Sequence, residues 1–201
     1  MAILAGDGLL TEAFALLSDP SSSLAPAGHL PMSLEARSRA IRALAVAAGA
    51  VGMVGGQAID LAAAGKVPAA APERPLDRAG LQDMHARKTG ALIRAAAVMG
   101  AIATDADDPT VTAIDQYARE LGLAFQIVDD ILDVEGSAEE LGKTVGKDAA
   151  GSKPTYPAFY GLDASRRLAA ECVLRAKEIL AGTGIEGRLG DIAEWSLARR
   201  H

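Results

Sequence analysis

The chain has 201 residues, 50% of them hydrophobic and 23% charged, with a formal net charge of −6. That length and mix fit one domain with a sizeable core and exclude a largely disordered chain, while the acidic balance excludes a general nucleic-acid binder with a basic face. Alanine makes up roughly a fifth of the residues and aromatics only 3%, a composition that reads as an all-α helix bundle rather than a sheet.

Residues 3–17 form the first predicted helix, with Leu9, Leu10, Ala13, Phe14 and Leu17 at helical spacing. It begins without an N-cap or a preceding loop, as if entered in its middle. Nothing in residues 1–7 has the length or pattern of a secretory signal. Ser18-Asp19-Pro20 ends the helix, and 21–31 is a polar loop. Ser33 is a good N-cap for the next helix, with Arg37 and Arg39 expected on its wet side. That helix runs towards Gly49 and Gly52, is interrupted at Gly55-Gly56, and continues over 57–64. Residues 65–75 are a Pro-containing connector.

A second long helix is expected over 76–103 with Gly90 inside it, then a turn at 104–108, with Pro109 suited to the first position of a third helix over 110–133. Residues 136–152 read as mostly loop and 155–160 as a short helix. Asp163 is expected to cap a helix reaching Leu180, and 185–200 forms the last. No run reaches the roughly 20 apolar residues of a membrane span before Gly, Arg, Asp or Gln interrupts it. Cys172 is the only cysteine, which excludes an intrachain disulfide and suits a reducing, cytoplasmic setting.

The strongest chemical signal is Phe125-Gln126-Ile127-Val128-Asp129-Asp130-Ile131-Leu132-Asp133. On a helix, Gln126, Asp129, Asp130 and Asp133 share a face, and Ile127, Val128, Ile131 and Leu132 take the other. Carboxylates so close repel one another unless a cation sits between them, and Mg²⁺ accepts a few carboxylate oxygens while leaving positions for water or phosphate. The bland alternative is an exposed acidic helix. Lys143, Lys147 and Lys153 follow on a Gly-rich stretch, where they would neutralise an anion held by that metal; singly, each reads as a solvated loop residue.

Within His85-Ala86-Arg87-Lys88-Thr89-Gly90, the glycine costs about 1 kcal/mol against alanine in a helix, so a local reason is expected. A kink there would turn Lys88 and Thr89 inward; an exposed Arg-Lys pair is the alternative. Gly55-Gly56-Gln57-Ala58-Ile59-Asp60 is similar, with Gln57 and Asp60 on one face and close helix packing an equally good explanation.

Taken together and in order, these segments closely resemble the trans-isoprenyl diphosphate synthases of the polyprenyl synthetase family. The resemblance also includes Ala5-Gly6-Asp7-Gly8-Leu9-Leu10-Thr11-Glu12-Ala13-Phe14, Leu141-Gly142-Lys143 and Lys153-Pro154-Thr155-Tyr156-Pro157-Ala158, and so spans nearly the whole chain. The wording around Lys88 and Tyr156 is most like the short-chain farnesyl and geranylgeranyl diphosphate branch.

The resemblance implies an isoprenoid synthase helix bundle around a central cavity, usually a homodimer whose surface uses helices matching the first two here. It implies Mg²⁺-dependent head-to-tail condensation of isopentenyl diphosphate with an allylic diphosphate. Asp129, Asp130 and Asp133 would be the second aspartate-rich motif, with Asp129 the foremost metal ligand. Lys88, Lys143 and Lys153 would grip the allylic diphosphate, Thr89 and Gln126 would place oxygens near the carbocation, and Gln57 would line the cavity.

The family's first aspartate-rich motif and its isopentenyl diphosphate-binding residues lie upstream of the Ala5-Gly6-Asp7 segment, and Asp105, Asp107 and Asp108 do not replace them. The expectation is that residues 1–201 form one domain, the C-terminal two-thirds of such a synthase, inactive alone. Weighed against it are a non-catalytic subunit of a heteromeric synthase, a related terpene enzyme that cyclises its substrate, and a bundle with no ligand. No nucleic-acid partner is expected.

Overall fold

The computed structural model describes residues 1–21, 32–67, 75–141, 154–185 and 187–199, and every regular element among them is a helix. In chain order these are α1 (Ala2–Ser18), α2 (Leu34–Ala48), α3 (Met53–Ala63), α4 (Arg78–His85), a π-helical turn (Ala86–Gly90), α5 (Ala91–Ala103), α6 (Asp108–Leu141), α7 (Tyr156–Tyr160), α8 (Leu162–Ala181) and α9 (Leu189–Ala198). The all-α class read from composition is therefore the observed one.

Side-chain caps start several helices by satisfying backbone N–H groups that lack an intrahelical partner. Ser33 Oγ accepts the Ala36 N–H at 3.1 Å, Asp77 Oδ1 that of Gly80 at 2.8 Å, and Thr155 Oγ1 that of Ala158 at 3.3 Å. Asp107 Oδ1 accepts the Thr110 N–H at 2.9 Å at the head of α6. At 34 residues, α6 is about 50 Å long and forms the spine of the fold. α8 and α5 both pack against it, and α2 lies against α5.

Small residues let these helices approach. Ala118, Ala124, Ala169, Ala176 and Ala193 are all buried in the larger core, which gathers α4, α6, α7, α8 and α9. A smaller core joins Leu17 of α1, Ala40 and Leu44 of α2 and Ile102 of α5, with Met32. In α8, Ser165, Ala169, Cys172, Val173, Ala176 and Leu180 are buried at the three- and four-residue spacing of one helical stripe.

Several boundaries differ from the sequence reading. The break expected at Gly55-Gly56 falls earlier, at 49–52. Gly49 closes α2 in an extended conformation, and a Cβ on Gly52 would stand 2.0 Å from the Ala47 carbonyl oxygen. Gly55 and Gly56 lie inside α3. α6 begins at Asp108, so Pro109 is its second residue, and it continues through Gly136 to Leu141 where loop was expected. Asp163 sits within the first turn of α8 and pairs with Arg166; Gly161 occupies the cap. The last helix is shorter than expected, starting at Leu189.

Arg37, expected on the wet face, is buried and donates from Nη1 to the Leu17 carbonyl at 3.2 Å, closing the C-terminal end of α1. Arg39 does face solvent and pairs with Asp108 at 3.1 Å. The membrane expectation also needs correction, because the stretch Leu34–Ala63 contains a window apolar enough to cross a bilayer by length and composition. It is divided between helices of 15 and 11 residues, whereas a span needs about 20 residues of continuous helix.

Tyr117 on α6 is buried and donates its hydroxyl to the Leu189 carbonyl at 2.7 Å, tying α6 to α9. Burial raises its phenol from 10.0 to about 12, and burial also raises the Cys172 thiol from 9.0 to about 11. Both groups stay protonated in the folded chain at pH values where the unfolded chain releases the proton. Their stabilising contribution is whole below about pH 9 and is lost as pH rises through about 11 to 12. Thermal melting followed from pH 8 to 12 should therefore fall with rising pH, and Tyr117→Phe should make the decline above pH 10 shallower.

Gly56 offers a second test. Alanine is favoured over glycine in a helix by about 1 kcal/mol, yet a Cβ here would lie 2.2 Å from the Lys88 backbone nitrogen. Overpacking against backbone outweighs propensity, so Gly56→Ala should lower the melting temperature, with a net cost of about 1 to 3 kcal/mol by chemical denaturation.

Candidate functional site

The candidate site grows from the π turn. The expected irregularity at Gly90 takes the form of a single π-helical turn over Ala86–Gly90, which widens the helix between α4 and α5. Glycines on both sides make room for it. Gly56 of α3 meets the Lys88 backbone, and a Cβ on Gly122 of α6 would stand 3.2 Å from the Gly90 Cα. The turn is thus held between two helices at backbone contact.

One consequence is a cleft of about 520 Å³ between α3 and the π turn. Gln57, Lys88 and Thr89 supply its polar groups, and Met53, Val54 and Leu61 are among its apolar ones. Three residues expected at one cavity are therefore brought together. Lys88 Nζ also meets the Asp60 carboxylate, with Oδ2 at 2.5 Å.

Gln126, Asp129, Asp130 and Asp133 do fall within one arc of α6, but the arc straddles the edge of the buried stripe. Gln126 and Asp130 are buried, whereas Asp129 and Asp133 are exposed. Asp130 Oδ2 accepts the Tyr156 N–H at 2.9 Å and lies 3.3 Å from His85 Nε2. The His85 ring stacks on Tyr156 with centroids 5.9 Å apart. Asp130 therefore joins the end of α4, the start of α7 and the middle of α6. Of the opposite set, Ile127, Val128 and Ile131 are buried and Leu132 packs against the same core.

Asp129 faces a residue distant in sequence. Arg199 Nη2 lies 3.5 Å from its Oδ1 and donates to the Phe125 carbonyl at 3.3 Å. The Arg199 guanidinium sits 3.8 Å over the Phe125 ring, a cation–π arrangement that leaves its side chain largely buried. Neither Asp129 nor Asp133 lines the cleft around Lys88. Lys143, Lys147 and Lys153 lie outside the described residues.

Among the described residues, no three His, Cys, Asp or Glu side chains converge as a metal site. The donors left facing solvent are the carboxylates of Asp129 and Asp133, one helical turn apart. That set suits Mg²⁺, which dehydrates reluctantly and is commonly held by one or two carboxylates with waters and substrate phosphate.

Sequence reasoning did not assign four residues that shape this site: Asp60, His85, Tyr156 and Arg199. Asp60, His85 and Tyr156 stood inside motifs already singled out. Arg199 had no local signal, because its partners Phe125 and Asp129 are some 70 positions away.

The arrangement defines a class: an all-α bundle in which a long aspartate-bearing helix flanks a π-kinked helix presenting lysine and threonine to an apolar-walled cleft. The chain belongs to the polyprenyl synthetase family, whose model, described as polyprenyl synthetase, matches residues 1–179. It is 40% identical over 202 residues to the farnesyl diphosphate synthase of Geobacillus stearothermophilus, covering 100% of this chain and 63% of that protein. It is 43% identical over 185 residues to the chloroplastic geranylgeranyl pyrophosphate synthase 9 of Arabidopsis thaliana, covering 90% of this chain and 47% of the relative.

The solved structure of a geranyltransferase from Helicobacter pylori, complexed with magnesium and isoprenyl diphosphate, superposes with a TM-score of 0.69 at 28% identity. The superposition covers 98% of this chain and 59% of that one. The chain thus spans about half to under two-thirds of the length of the relatives it matches.

The neighbouring aspartates should respond differently to substitution. Asp130→Ala leaves a buried N–H at Tyr156 without its acceptor and should cost about 1 to 3 kcal/mol. Asp129→Ala removes a half-exposed carboxylate at the long end of ion-pair distance, and Arg199 keeps the Phe125 carbonyl and ring, so the cost should stay below about 1 kcal/mol. Chemical denaturation of the two variants checks the contrast.

Proposed function

We propose that the protein acts in short-chain prenyl transfer, the Mg²⁺-dependent condensation of isopentenyl diphosphate with an allylic diphosphate to a farnesyl or geranylgeranyl product. The observation that carries the reading is the meeting of Gln57, Lys88 and Thr89 at one apolar-walled cleft beside the π turn, in a chain of this family. The named activities of the Geobacillus, Arabidopsis and Helicobacter relatives agree with it.

The chemistry is cleavage of a carbon–oxygen bond, with negative charge building on departing diphosphate. Asp129 and Asp133 would hold the metal, with Asp130 serving chiefly to fix the helix that presents them. Bound Mg²⁺ would supply charge neutralisation at the leaving diphosphate. Lys88, with Lys143 and Lys153, would donate to the diphosphate oxygens, where preorganised cationic donors act most strongly on developing charge. Thr89 and Gln126 would direct oxygens at the allylic cation. The apolar wall from Met53, Val54 and Leu61 would keep water from it. The carbon–oxygen bond breaks first, the double bond of isopentenyl diphosphate then adds to the allylic cation, and the new cation loses a proton to the departed diphosphate.

A homodimer fits the exposed apolar side chains Ile3, Leu4 and Leu9 of α1, which in isolation would present a hydrophobic surface to water.

The test is a prenyl-transfer assay with Mg²⁺, isopentenyl diphosphate and geranyl diphosphate. It is run on the chain alone and on the chain joined to the part of the Geobacillus relative that it does not cover. A C15 or C20 product abolished by Asp129→Ala is the expected result. A folded fusion that makes no such product overturns the proposal.

A further inference from the structure

Asp60 is paired with Lys88, a residue of the cleft lining, and the proposed chemistry assigns Asp60 no task. Its Oδ2 lies 2.5 Å from Lys88 Nζ, and the two side chains are only 14% and 28% exposed. The pair is therefore shielded more than the surface ion pairs whose net worth is near zero. We propose that Asp60 is a positioning residue for Lys88, holding its ammonium at the cleft in the orientation that meets an allylic diphosphate. The proposal rests on the reading of Lys88 as a diphosphate-binding residue.

Three features support it. A lysine carries a compact charge on a flexible four-carbon stem, so without a partner its ammonium samples many positions. One N–H given to Asp60 leaves two for phosphate oxygens. Asp60 lies one turn beyond Gly56 on the same face of α3, and Gly56 is in contact with the Lys88 backbone. One helix therefore fixes both ends of the Lys88 side chain.

The sign of the effect separates positioning from plain electrostatics. Removing an anion beside Lys88 should, by Coulomb attraction alone, tighten the binding of another anion. Loss of positioning should weaken it.

The probe is geranyl thiolodiphosphate with Mg²⁺, an allylic diphosphate whose bridging sulfur resists ionisation, titrated calorimetrically into the 201-residue chain. Lys88→Ala should weaken binding about 10- to 100-fold, the worth of a charge-assisted hydrogen bond. Asp60→Asn should weaken it about 10-fold, and by less than about twofold in the Lys88→Ala background, as expected for residues acting as one unit. Asp60→Glu, which keeps the carboxylate, should retain most of the affinity. If Asp60→Asn does not fold by far-UV circular dichroism, Asp60→Ser takes its place.

Unchanged or tighter binding in Asp60→Asn, with weaker binding in Lys88→Ala, overturns the positioning role alone. An equal loss in both backgrounds also overturns it, because Asp60 would then act through something other than Lys88. No effect of Lys88→Ala, or no binding by the unaltered chain, overturns the reading of Lys88 and the proposal with it.

Discussion

The site depends on one contact, the approach of the α3 backbone to the π turn at Gly56 and Lys88. A Cβ at Gly56 would stand 2.2 Å from the Lys88 nitrogen, closer than any packed side chain tolerates. With that carbon in place, α3 would be pushed away and the cleft shared by Gln57, Lys88 and Thr89 would lose its shape. On the other side, Gly122 also brings α6 to the turn's backbone, less tightly, with a Cβ there 3.2 Å from the Gly90 Cα. A π turn is rare and occurs mostly as a single-turn bulge inside an α-helix. Here it is held between two helices that leave it little room to relax, which is how a local irregularity becomes a defined site.

The aspartate helix illustrates a second constraint, the satisfaction of buried polar groups. Successive residues on a helix are turned by about 100°, so Asp129 and Asp130 cannot both face the same neighbour. Asp130 points inward and is matched by the Tyr156 N–H and His85. Asp129 points outward beside Arg199. The first makes the helix rigid with respect to α4 and α7, and the second remains available to solvent. Rigid support behind an available carboxylate is what a metal or charged ligand requires, because positional error is costly in both binding and catalysis.

Alanine plays a quieter part. Side chains of one methyl group bury little apolar area each, but they let α6 and α8 pack closely along much of their length. Scarce aromatics leave few bulky groups to fill the space between helices. Close packing in one part and an open cleft in another follow from the same composition.

Much of this protein was legible in its sequence because the relevant physics is local. Helical periodicity, the Ser33 cap and the abundance of alanine determined the all-α class. The cost of glycine in a helix marked residue 90 as irregular, and the acidic run marked α6 as the helix bearing charge. Which way a charge faces is not local. Arg37 is buried because the end of α1 offers it carbonyl oxygens, and Asp130 is buried because α7 brings a donor to it. The break before α3 falls at 49–52 rather than at Gly55-Gly56 because the latter pair lies inside the helix, where Gly56 is needed for packing against the π turn. Asp60 met Lys88, and Arg199 met Asp129, only once the chain had folded, across 28 and 70 positions respectively. Sequence by itself determined where helices form, since propensity and capping act within a few residues. Tertiary structure alone decided which charges are paired, buried or left open, since that depends on neighbours the local pattern does not contain.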